Sequence, residues 1–188
     1  MSFITKNLKK AGIFNTLLIC ITILIQIYYL IVLYPQGAYF IDFAYSIVMV
    51  IALIFGLFYA FSGYKKNGSK YYKLFLLLTL LACIGVVIDD FFYIYSYMFS
   101  SMLGTYLAII RIIPVAILAF AKDFGREKSL MCAYSQFILS LVIFIRGIAL
   151  YGDFFLQIVQ FFGYLLLSII LVIFVEAKYL DKETRGTK

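Results

Sequence analysis

Four charged side chains interrupt the longest apolar runs of the sequence: Asp89, Asp90, Arg111 and Arg146. Arginine in an apolar setting suits recognition of carboxylates or phosphates, and aspartate suits amines or protons. A charge at the centre of a bilayer costs at least roughly 2.5–3.5 kcal/mol on the translocon scale, so such groups pair with one another or mark a solute pathway. Gln26, Gln157, Gln160 and Tyr164 fall at helical spacing on neighbouring runs and extend the polar set. Two readings follow. In one, the four charges form buried ion pairs that fix which helices are neighbours. In the other, the eight residues line a polar pocket for a small polar solute.

Catalysis is not expected from this set. The chain has no histidine, which removes His-based acid/base work and Ser-His or Cys-His nucleophile pairs. Asp89 and Asp90 are adjacent, and adjacent helical positions point about 100° apart, so they make a poor carboxylate dyad. Cys20, Cys83 and Cys132 are widely separated and form neither a redox pair nor a disulfide framework. No metal motif, nucleotide loop or other cofactor signature is present.

Composition places these residues in lipid. Of the 188 residues 65% are hydrophobic and 13% charged, against roughly 45–50% and about 25% in soluble domains. The mean hydropathy is +1.06. A soluble globular domain, a disordered segment and a nucleic-acid-binding module are all poor fits. The expected class is an all-α integral membrane protein forming a single transmembrane domain.

A spanning helix needs about 20 mostly apolar residues. Turn signals and charge clusters cut the chain into six such stretches, 11–34, 39–63, 72–97, 101–121, 130–151 and 154–177, followed by a short tail at 178–188. Lysine and arginine alternate sides across them. The start of the chain, the second and fourth connectors and the tail are basic, while the first, third and fifth connectors hold no Lys or Arg. Short basic connectors stay cytoplasmic, so the pattern predicts six spans with both termini in the cytoplasm, in the plasma membrane. The formal net charge of +7 then belongs to cytoplasmic loops beside anionic headgroups and not to nucleic acid.

Small residues mark packing faces where backbones approach closely. Ala52, Gly56 and Ala60 form such a stripe on the second stretch; Ala82, Gly85 and Asp89 share a face on the third, as do Gly104, Ala108 and Arg111 on the fourth. Pro114 removes the hydrogen bond to the carbonyl of Ile110 and predicts a helix kink beside Arg111. The leading functional expectation is binding or transport of a small polar solute through an outward-facing pocket. The alternative is a non-catalytic accessory or assembly subunit, whose stripe at Ala52, Gly56 and Ala60 meets another membrane protein or a second copy.

The two readings separate by mutation. If the charges line a site, the neutral pair Asp89→Asn with Arg146→Gln folds normally by thermal melting but loses solute binding. If they are structural, Asp89→Arg combined with Arg146→Asp restores a fold that either change alone weakens.

Overall fold

The computed structural model describes residues 8–33, 40–64, 68–93, 98–121, 124–151 and 154–186. Among them every regular element is a helix: α1 (Leu8–Leu33), α2 (Phe40–Phe61), α3 (Ser69–Tyr93), α4 (Met98–Phe120), α5 (Arg126–Tyr151) and α6 (Phe154–Gly186). Helices are what apolar sequence must form in hydrocarbon, because only there does each segment satisfy its own backbone donors and acceptors. Four described stretches are long and apolar enough to cross a membrane: Gly12–Ile31, Phe43–Phe61, Ser69–Ile88 and Phe161–Leu180. Distribution of side chains agrees. Ile13, Phe61 and Met131 are each 71% exposed, whereas Asn15, Ser46 and Thr79 are fully buried. Polar groups inside and large apolar groups outside is the arrangement of a helical membrane protein, since lipid solvates the outer face.

Each helix packs most strongly against its neighbours in sequence, and α1 also packs against α6. The six helices thus close into a ring. Two to seven residues separate successive helices, which makes neighbours antiparallel. One end of the ring carries the basic connectors between α2 and α3 and between α4 and α5; it is called the basic end below.

The basic half of the ring is filled by aromatic side chains. Phe174 of α6 is fully buried, and its ring lies 5.0 Å from Tyr59, 5.1 Å from Phe75, 6.1 Å from Tyr64 and 6.1 Å from Tyr72, all in edge-on contact. The stripe of Ala52, Gly56 and Ala60 makes room for this cluster. A Cβ on Gly56 would stand 3.3 Å from Phe75 and 3.4 Å from Phe174. These three residues are buried within the bundle and so do not form the outward partner face expected from the sequence. Small residues admit a neighbouring backbone or a large ring equally well, and spacing alone does not tell which.

Three further contacts lock this end. Tyr64 follows α2 in a left-handed conformation with φ of 61°, unusual for a residue with a side chain. That turn carries its ring inward, 5.2 Å from Tyr59, where its hydroxyl accepts a 3.2 Å hydrogen bond from Asn15 Nδ2 on α1. Burial pushes the Tyr64 phenol up from its ordinary range, opposed by the Asn15 bond, so it stays protonated at neutral pH. At the start of α5, Arg126 pairs with Glu176 of α6 at 2.7 Å, and Ser129 shares a 3.1 Å hydrogen bond with Tyr179. These anchors lie beside the stretch expected to be a loose tail. Instead α6 runs on as helix to Gly186, with Leu180 buried, in a segment rich in good helix formers.

α4 is helical from Met98 to Phe120 without a break at Pro114.

Phe174→Ala removes the centre of the aromatic cluster and leaves a cavity where four rings met. A loss of about 3 kcal/mol is expected from large-to-small core data, read as a lowered unfolding midpoint in detergent. An unchanged midpoint would contradict the filled basic half.

Candidate functional site

Arg111 sits on α4 nine residues before Phe120, about 14 Å along the helix at 1.5 Å per residue. Only 5% of it is exposed. Its Nε donates a 3.2 Å hydrogen bond to Gln136 Oε1 on α5. Gln136 Nε2 donates back to the Arg111 carbonyl at 2.9 Å, so one amide grips both ends of the residue. The Gln136 carbonyl accepts from Ser140 at 2.6 Å, continuing the polar stripe of α5. The face of the guanidinium lies over the Tyr164 ring of α6, 3.8 Å from its centroid. Such a contact is worth about 2 kcal/mol when desolvated.

Arg111 and Tyr164 open onto a cavity of about 40 Å³. Ile25, Gln26 and Tyr29 of α1, Tyr45 and Met49 of α2, Ala82, Cys83 and Val86 of α3, and Val159 of α6 complete its wall. This exceeds the roughly 10–15 Å³ that a single water requires, so the cavity admits a small solute. Arg111 stands near the middle of the ring, and the other lining residues lie in the half away from the basic end. Two glycines shape this half. A Cβ on Gly85 would meet that of Tyr45 at 2.7 Å, so this glycine lets α2 and α3 approach beside the cavity. A Cβ on Gly163 would stand 3.5 Å from Gln26 Nε2, so the Gln26 amide rests on the backbone of α6.

Of the residues expected from sequence, Arg111, Gln26 and Tyr164 come together at this cavity. The side chains of Asp89, Asp90, Arg146, Gln157 and Gln160 lie outside the described residues. Helix register still separates their levels. Asp89 is twenty residues beyond Ser69 and Arg146 twenty beyond Arg126, so both stand about 30 Å from the basic end. Arg111 stands about 16 Å nearer that end. Asp89, Asp90 and Arg146 thus share one level and Arg111 stands at another. Among the described residues the single ion pair is Arg126–Glu176, and no carboxylate pairs with Arg111.

Three contributors escaped the sequence reading of the site. Gln136 was legible as part of a stripe, and its level identifies it as well: it lies ten residues past Arg126, matching Arg111 on the antiparallel α4. Tyr45 and Cys83 carry no such signal, since each is one more aromatic or small residue in an apolar run. Among the described residues no group of His, Cys, Asp or Glu could hold a metal ion. Comparisons with family models, with curated proteins and with solved structures find no match.

Gln136→Leu leaves the Arg111 Nε and carbonyl without their partner. The expected loss is about 1–3 kcal/mol, the cost of unsatisfied buried polar groups, measured as a lowered melting midpoint. A midpoint equal to wild type would remove Gln136 as the clamp on Arg111.

Proposed function

We propose that this membrane protein binds a small polar solute in the Arg111 cavity and moves it or presents it for movement across the bilayer. The observation that carries this reading is a buried guanidinium, unpaired with any described carboxylate, facing a cavity walled by helices from around the ring. A charge used only to fix helix neighbours has no need of an adjoining void. Polar lining plus an apolar surround is the usual make-up of a small-molecule site.

In this reading all six helices cross the plasma membrane with both termini in the cytoplasm, because the basic connectors alternate with connectors free of Lys and Arg. The cavity then lies in the outer half and the Phe174 cluster in the inner half. The protein is not an enzyme in this reading: the described lining residues include no nucleophile–base pair, and Arg111 is held as a binding group. An accessory role is less well supported, because the small-residue stripe it relied on is used inside the bundle.

Two measurements test the proposal. Native mass spectrometry of protein purified in mild detergent is expected to show a stoichiometric small-molecule adduct that Arg111→Gln lacks; a co-purifying protein with no adduct would favour the accessory role. In a variant freed of its native cysteines, Gly37→Cys is expected to react with an impermeant maleimide on intact cells and Asn67→Cys only after lysis. Labelling of Asn67→Cys on intact cells would overturn the orientation.

A further inference from the structure

Geometry at Arg111 narrows the class of solute, an inference that rests on the binding role proposed above. A guanidinium has one Nε–H, two faces and an outer edge formed by its two Nη groups. Gln136 occupies the Nε–H and Tyr164 covers one face. The Nη groups make no hydrogen bond with any described residue, yet neither is sealed off as a buried unsatisfied atom. Buried Asn15 Oδ1 and Ser46 Oγ hold that distinction among the described residues. The Nη edge therefore faces the cavity, which Arg111 lines.

We propose that the cavity takes a small planar monoanion of the carboxylate type, held bidentately on the Nη edge of Arg111. Planar oxygens match the guanidinium fork, which delivers two parallel charge-assisted hydrogen bonds. Size comes from the cavity, whose volume of about 40 Å³ suits a small solute. Charge comes from the lining. Arg111 is the single cation among the described lining residues, and Ile25, Met49, Ala82, Val86 and Val159 surround it with apolar wall. A dianion such as sulfate would keep one charge uncompensated in that low-dielectric setting. A monoanion cancels the charge of Arg111 itself, which no described carboxylate offsets. Gln26, whose amide also lines the cavity, supplies a further donor from α1.

The test uses the full chain in detergent and a thiol-reactive dye, which reports unfolding as buried Cys83 and Cys132 become exposed. Sodium gluconate, too large for the cavity, sets the baseline at constant ionic strength. Replacing it with formate is expected to raise the melting midpoint saturably, by roughly 5–10 °C at a hundredfold excess over Kd. Formamide, the neutral counterpart, and sulfate are expected to have no such effect. Arg111→Gln is expected to raise the half-saturating formate concentration at least tenfold, the order lost with one charge-assisted hydrogen bond. Where that variant does not fold, Ala82→Leu narrows the cavity from α3 and is expected to abolish the response. An unchanged formate response in either variant would overturn the proposal. A response to formamide equal to that of formate would overturn the anion class while leaving solute binding intact. Stabilisation by none of a panel of formate, formamide and methylammonium would overturn both.

Discussion

A guanidinium is among the hardest groups to place in hydrocarbon, because it cannot shed its proton and carries five donors to satisfy. Much of the ring's construction follows from doing so at Arg111. Gln136 must lie at the same level on the next helix, which fixes the register of α4 against α5. Tyr164 must lie over the guanidinium face, which brings α6 across to the same point. With α5 and α6 both tied to Arg111, the ring closes around it, and α1, α2 and α3 supply the remaining wall.

The two halves of the ring differ because different residues fill them. Toward the basic end, Ala52 and Gly56 leave space that Phe174 and the Tyr59, Tyr64, Tyr72 and Phe75 rings take up completely. Dispersion among close-packed rings is the main attraction available there, since lipid offers no hydrophobic drive between helices. Away from the basic end, Ala82, Cys83 and Val86 leave space that no side chain fills. The ring thus holds a close-packed aromatic half on one side and a cavity of about 40 Å³ on the other. Arg111 sits where they meet.

Much of the fold was legible in the sequence. Six apolar runs appear as six helices; Asn15 and Thr22 on α1, seven residues apart, and Gln136 and Ser140 on α5, four apart, share a face by their spacing and are buried. Periodicity reports which residues share a face, and burial of a polar face in lipid follows from energetics alone. What periodicity does not report is the partner opposite. The sequence grouped Arg111 with aspartates whose side chains lie outside the described residues; among the described residues its contacts are a neutral amide and a ring. It also left the stripe at Ala52, Gly56 and Ala60 without its internal partner, because Phe174 is one of twenty phenylalanines with nothing local to distinguish it. Glu176 went unremarked at the end of an apolar run, although its bond to Arg126 is what ties the extended end of α6 to α5.

The most direct measurement is nitrogen-15 NMR of arginine side chains in lipid nanodiscs. The chain has four arginines, and Arg111→Gln assigns one set of signals. The expected result is that formate shifts the Arg111 Nη signals and slows their exchange with water, while its Nε signal, tied to Gln136, changes little. Nη signals that ignore formate and move instead with Asp89→Asn or Asp90→Asn would show that a carboxylate of the chain already occupies the edge, and would contradict the binding role of Arg111.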